Sequence, residues 1–348
     1  MKLVMLRAKI KETEGVFEGQ YAKHDDFYED AYTSSDYYTV LCSALINYYD
    51  NVEMWFQEDE HHKAGTFTHK AGLVERFCKK DWEDVEEKTD ILFVRGNIDN
   101  YRKLLDSTFG KRAFKVYYSA GNYFIPDTKY KWGLVFVDDE RHIEKVRAAT
   151  NCPVELFKKS CVDKYFPKRS KKGLIDIYYT CNAPQHSIKG FDIFADLMRG
   201  FKKSEQNIKA YCVGLKSNEL LERCKDLDNI YFTGFIPRHH VGNIMSNARL
   251  GLVLSNTRDG SPRVIQEYLC CGLPLVVFEG TACSDFYLNT NTGTRTSLKN
   301  LRETILFVLE NSYLYDPRTY FFNNLKMEHS AKYVYETISK YYSTFHNS

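Results

Sequence analysis

Residues Ser255–Phe278 read SNTRDGSPRVIQEYLCCGLPLVVF. The apolar run before them, Leu250–Leu254, has the length and composition of a buried strand. Gly260, Ser261 and Pro262 then supply a helix start: a flexible loop position, an N-cap hydroxyl and a proline at the first helical position. Val264, Ile265, Tyr268, Leu269 and Cys271 recur at helical spacing, and Gly272 with Pro274 stops the helix. Leu273–Phe278 is a second apolar run, rich in valine. Strand, loop, helix, strand is the repeating unit of a parallel α/β sheet.

The chemistry lies at the helix start. The free backbone N–H groups within residues 261–264, those of Ser261, Arg263 and Val264 since Pro262 has none, and the positive end of the helix dipole make a seat for phosphate. Glu267 lies about one and a half turns in, and helical side chains lean back towards the N-terminus. Its carboxylate therefore reaches towards a hydroxyl-bearing group beside that phosphate. Asp259 stands in the loop eight positions earlier. Charge for the helix end and hydroxyls for the two acids suit a sugar nucleotide.

Asp259-Gly260-Ser261-Pro262 through Glu267, then Cys271-Gly272-Leu273-Pro274, resembles the E-x7-E segment of the group 1 (glycogen-synthase-like) glycosyltransferases. Its usual form is close to E-G-x-P-x-x-x-x-E-A-x-A-C-G-x-P-V-V. The first acid here is Asp, one methylene shorter than the usual Glu. The ordinary alternative is a helix with surface acids and a glycine stop. The resemblance implies an α/β protein of the GT-B class, two Rossmann-like domains facing across a cleft. Residues 1–167 would be the acceptor side, 173–326 the nucleotide-sugar-binding domain, and 327–348 a helix that crosses back onto the first domain.

Composition sets the outer limits. The chain has 348 residues, enough for two domains, and is 43% hydrophobic, enough for real cores. A net charge of +2 leaves no footprint for nucleic acid. No run approaches the roughly 20 apolar residues of a membrane span, and the opening residues show no secretory pattern. The ten cysteines are scattered without CxxC pairing, which fits reduced thiols. A cytoplasmic location is expected on these grounds. Nothing in the pattern accounts for 26 Tyr and 23 Phe.

Along the chain, Lys2–Arg7 is a first strand, and the charged stretch after it carries only Gly15 and Gly19, no G-x-G-x-x-G. Tyr37, Val40, Leu41, Ala44, Leu45 and Tyr48 mark one helical face. Val52–Phe56 reads as a strand and 57–70, with His61, His62 and His69, as a solvated loop without zinc-like spacing. Asp90–Arg95 is strand-like, Asn100–Phe109 helical, Phe114–Tyr118 and Trp132–Val137 strands. The adjacent acids Asp138-Asp139-Glu140 precede helical periodicity, so an N-cap and first-turn acids explain them without a metal. In the related family the strand matching Phe114–Tyr118 often presents a histidine to the sugar; Ser119-Ala120-Gly121-Asn122 follow here. Cys161-Val162-Asp163 and Phe166-Pro167 resemble the family's Asn-Gly-Val-Asp…Phe-x-Pro. Lys168, Arg169, Lys171 and Lys172 then read as a solvated linker, with contact to anionic lipid headgroups or acceptor as the other reading.

In the second half, Leu174–Thr180 is a strand and Ser187-Ile188-Lys189-Gly190 leads a helix with Phe191, Ile193, Phe194 and Leu197. A lysine at a helix start, away from the favourable dipole end, needs a reason; a bound anion is one, and a solvated lysine is the ordinary alternative. The resemblance makes Lys189 one of two cations gripping the donor diphosphate; Cys181-Asn182 occupies the neighbourhood of the other, an arginine. Ile208–Val213 with Gly214 is a strand and turn. Gly234-Phe235-Ile236-Pro237, after strand Ile230–Thr233, resembles the loop whose backbone reads the nucleobase. Helices are expected over Asn218–Cys224, Val241–Ala248 and Leu298–Glu310, with a final amphipathic one carrying Met327, Ala331, Val334, Ile338 and Tyr341.

The resemblance implies catalytic roles for Asp259, Glu267 and Lys189. Donor contacts would come from Gly260, Ser261, Pro262, Arg263, Val264, Gly214, Phe235, Ile236 and Gly15. The expected function is retaining, metal-independent transfer of a sugar from a nucleoside-diphosphate sugar to a hydroxyl on a glycan, glycolipid or similar acceptor, with no cofactor beyond the donor. A nucleotide-sugar 2-epimerase and a non-catalytic sugar-nucleotide-binding scaffold are the alternatives; turnover without an acceptor marks the first, binding without turnover the second.

Overall fold

A computed structural model describes residues 1–6, 37–58, 63–68, 73–79, 82, 85, 88–119, 125–170, 173–182, 185–236, 238–256, 259 and 262–346. The chain folds as two compact units, Met1–Lys158 with Met327–Ser348, and Lys159–Lys326.

The first unit opens with β1 (Lys2–Leu6), α1 (Tyr37–Leu45), β2 (Asn51–Gln57), β3 (Gly65–Thr68), β4 (Val74–Cys78) and β5 (Ile91–Arg95). It continues with α2 (Arg102–Asp106), α3 (Thr108–Arg112), β6 (Phe114–Ser119), β7 (Leu134–Val137), α4 (Ile143–Thr150) and β8 (Val154–Leu156). The strands form one sheet in the order β3-β4-β2-β1-β5-β6-β7-β8, parallel except that β3 runs against β4. Leu3–Leu6 and Ile91–Val94 are wholly buried, as central parallel strands covered on both faces must be. In α1 the buried residues Tyr38, Leu41, Cys42 and Leu45 form a single stripe.

Two expectations fail here for physical reasons. The stretch read as solvated loop contains β3, whose four residues are all exposed and which exists because β4 offers it an edge. With no inward-facing side chain there is no period-two signal to read. His61, His62 and His69 lie outside the described residues. The helix expected over Asn100–Phe109 is broken at Ser107, an extended residue whose hydroxyl accepts from Gly110 N at 3.2 Å and caps α3.

The second unit contains β9 (Ile175–Thr180), α5 (His186–Lys189), α6 (Phe191–Lys203), β10 (Ala210–Val213), α7 (Asn218–Arg223) and β11 (Ile230–Gly234). It goes on through α8 (Arg238–Met245), β12 (Ala248–Val253), α9 (Val264–Cys271), β13 (Leu275–Phe278), β14 (Gly293–Thr296), α10 (Leu301–Glu310) and α11 (Pro317–Asn324). Its six strands are all parallel, in the order β11-β10-β9-β12-β13-β14. The order reverses at β9, which lies between β10 and β12. That reversal opens a crevice at the carboxyl ends of β9 and β12, the usual ligand position in such sheets.

The basic run is not a solvated linker at Arg169. Its backbone N–H donates to Cys271 O at 2.7 Å and its guanidinium to Arg249 O at 3.1 Å. Burial first, and the Arg249 charge second, hold its pKa below the ordinary value. Lys168 is exposed; Lys171 and Lys172 lie outside the described residues. Nearby, α8 packs so closely that a Cβ on Gly242 would stand 1.7 Å from Tyr165 O. Gly242→Ala is therefore expected to destabilise the unit by about 1–3 kcal/mol, read as a lowered midpoint in thermal or urea unfolding.

The last helix, α12 (Met327–His346), belongs to the first unit. Its Ala331, Val334 and Ile338 are fully buried in one cluster with Leu41, Phe114 and Phe136. The Tyr341 hydroxyl donates to Glu155 Oε1 at 2.5 Å. The chain thus leaves the second unit and returns to the first, as expected for GT-B. All ten cysteines are buried free thiols. Among the described residues, no helix is long and apolar enough to cross a membrane.

Candidate active site

Four strand ends build the rim of the crevice. After β9, Cys181 N donates to Val213 O and Leu215 N to Asn182 Oδ1, both at 2.9 Å. Gly214, at φ +135°, presses on this join: a Cβ there would stand 2.4 Å from Cys181 O. No other residue type fits that backbone without strain. Gly214 N in turn donates to Gly234 O at 3.3 Å, which ties in the end of β11. Phe235 beside it is 47% exposed, and Ile236 is half-buried against the core.

After β12 the chain docks on α5. Asn256 N donates to Ile188 O at 2.9 Å and Asn256 Nδ2 to Ser187 O at 3.2 Å. Gly190, at φ +74°, ends α5, and a Cβ there would stand 2.3 Å from Leu254 O. The Tyr179 hydroxyl donates to Lys189 O at 2.9 Å from below. With both backbones held, Lys189 Nζ meets Asp259 Oδ2 at 2.7 Å. Their side chains are only 19% and 15% exposed. Water and salt screen such a pair far less than a surface one. Burial pushes the neighbouring Cys181 thiol up to about 11, so it stays protonated and adds no charge.

Lys189 therefore closes a single turn, and the long helix α6 begins after Gly190; the expectation of a lysine opening that helix is corrected. The helix start after Asp259 is also shifted. α9 opens at Val264 with Arg263 as its N-cap, in helical conformation and without a side-chain cap bond. Ile265 N donates to Pro262 O at 3.2 Å, so a tighter turn precedes the α-helix and buried Pro262 sits ahead of it. Glu267 lies in the first turn of α9 and is 6% exposed. The Tyr268 hydroxyl donates to Tyr178 O at 3.1 Å, which pins α9 to the sheet. A Cβ on Gly251 would strike the Tyr268 ring at 2.5 Å, so the close approach needs glycine. Gly260, Ser261 and Gly15 lie outside the described residues.

Sequence reasoning passed over Asn182 and Gly190 as site-builders. A glycine directly before an apolar helical stripe was the available signal for the second; nothing local marked the first.

In the first unit, the two adjacent acids are engaged. Asp138 Oδ1 accepts from the Tyr118 hydroxyl at 2.5 Å. Asp139 accepts from Arg141 N at 2.9 Å as an N-cap, and both its oxygens bind the Arg141 guanidinium. Burial alone would raise Asp139, but Arg141 outweighs it and holds the carboxyl below its usual range. Among the described residues, no three His, Cys, Asp or Glu side chains are grouped to hold a metal ion.

Residues 175–311 match the family model described as glycosyl transferases group 1. This segment is similar to the group 1 glycosyltransferases. The match covers the strands, loops and helices that carry Lys189, Asp259 and Glu267. No protein of curated function matches the sequence significantly. Solved structures of similar fold include HepE from Anabaena in complex with UDP-glucose, at 14% identity and TM-score 0.66, covering 98% of this chain and 100% of that one. Sucrose-phosphate synthase from Thermosynechococcus elongatus gives 12% identity and TM-score 0.67, covering 100% of both chains. A glycosyltransferase from Rickettsia africae gives 12% and 0.67, covering 100% of this chain and 99% of that one. These likenesses are of fold, and they extend the GT-B architecture from this segment to the whole chain.

Proposed function

We propose that the chain moves a sugar from a nucleoside-diphosphate sugar to an acceptor hydroxyl, with retention at the anomeric carbon and without a resident metal. The observation that carries the reading is the Lys189–Asp259 pair across the crevice between β9 and β12, beside the N-terminus of α9. The barrier is departure of the diphosphate from an oxocarbenium-like sugar. Lys189 and the backbone N–H groups ahead of α9 stabilise the charge that develops on the leaving phosphate. Glu267 takes ribose hydroxyls and Asp259 hydroxyls of the transferring sugar. The acceptor attacks the face the diphosphate leaves, and its proton passes to that phosphate. HepE was solved with UDP-glucose, which puts uridine and glucose first among donors to try.

Metal independence is supported by Asp138 and Asp139, whose oxygens already serve Tyr118 and Arg141. A thermal-shift screen of nucleotide sugars, followed by turnover of the best donor, tests the reading. Excess EDTA is expected to leave both affinity and turnover unchanged. Loss of both on chelation, restored by manganese, would overturn the proposed chemistry, and an inverted product anomer by NMR would overturn retention.

A further inference from the structure

In the free protein Lys189 already has its counter-ion. Asp259 holds the ammonium at 2.7 Å, in a place where both side chains are largely shielded. The pair contributes no net charge to a site that must accept a diphosphate. A phosphate oxygen reaching Lys189 has to displace or share with a carboxylate, and a shielded carboxylate that loses its cation next to an anion is strongly disfavoured. The backbone need not move for the exchange. Asp259 N donates to Asn256 O at 3.1 Å, and Asn256 is bonded to α5 through two further hydrogen bonds, none of which involves the Asp259 carboxylate. Only the Asp259 side chain has to turn.

Resting on the sugar-nucleotide reading above, we propose that Asp259 is an exchangeable counter-ion that makes the site select the whole donor over its nucleoside diphosphate. Asp259 releases Lys189 to the diphosphate when sugar hydroxyls take the place of the ammonium against its carboxylate. The complete donor brings both parts of the exchange. The nucleoside diphosphate left after transfer brings only the phosphate, leaves Asp259 unpartnered, and is bound less well. The same residue thus orients the sugar and hastens release of the product.

Calorimetric titration with UDP, ADP and GDP, and with UDP-glucose, ADP-glucose and GDP-mannose, tests this on wild type, Asp259→Asn, Lys189→Ala and the double variant. Asparagine keeps the shape of the side chain and removes its charge. Asp259→Asn is expected to bind the matching nucleoside diphosphate roughly ten-fold tighter, equivalent to about 1.4 kcal/mol. The preference for the sugar nucleotide over the diphosphate should shrink with it, and the gain should vanish when Lys189 is alanine. Unchanged or weaker diphosphate binding in Asp259→Asn, or a gain that persists without Lys189, overturns the exchange while leaving the functional reading standing. A wild-type chain that binds none of the six overturns both.

Discussion

Lys189→Ala should weaken sugar-nucleotide binding about ten- to hundred-fold, the value of a charge-assisted contact of roughly 1.5–3 kcal/mol. Turnover should fall further, on the order of 10²-fold or more, because the leaving phosphate gains charge in the transition state. The structure adds a second effect. Removing the ammonium strands Asp259, which is 15% exposed and bonded to Lys189 at 2.7 Å, so the variant should also unfold at lower temperature. Affinity must therefore be compared well below both melting points. The double variant Lys189→Ala/Asp259→Asn separates the causes: stability should recover, because no shielded charge is left alone, while turnover should not. Donor affinity equal to wild type in Lys189→Ala would place the diphosphate elsewhere.

How much of this could be read beforehand depends on the range of the interactions. The parallel sheets were legible because strands such as Leu250–Leu254 and Ile91–Val94 are apolar on both faces, a local property. Edge strand β3 was not, since its side chains face solvent and its existence depends on β4. Lys189 and Asp259 were legible as two motif members, but their contact was not. They are 70 positions apart and meet because β9 and β12 are neighbours, which strand order decides. Arg169 was misread for the same reason: the carbonyls that hold it belong to residues 249 and 271. The start of α9 was misplaced because Pro262 opens a tight turn, and Gly-Ser-Pro reads alike for either kind of turn.

Glu267→Gln should be the second large loss, and it should strike binding and turnover together. Glu267 is 6% exposed in the first turn of α9, so it meets its partners with little competition from water. Glutamine keeps the length and the helical propensity but turns charge-assisted bonds to ribose hydroxyls into neutral ones, which are about half as strong. A fall of roughly ten- to hundred-fold in kcat/KM is expected, again about 1.5–3 kcal/mol. Nucleoside-diphosphate affinity should fall by a similar factor, since the ribose is common to donor and product. That shared loss distinguishes Glu267 from Asp259, whose neutralisation should improve diphosphate binding. The neighbouring residue supplies the control. Gln266 is 1% exposed, and among the described residues neither of its amide atoms has a hydrogen-bond partner. Gln266→Leu removes that desolvated amide and should stabilise the fold by about 1–3 kcal/mol with turnover unchanged. If Glu267→Gln instead turned over like wild type and bound the diphosphate equally well, the carboxylate would be a buried structural acid, and α9 would offer the donor its backbone alone.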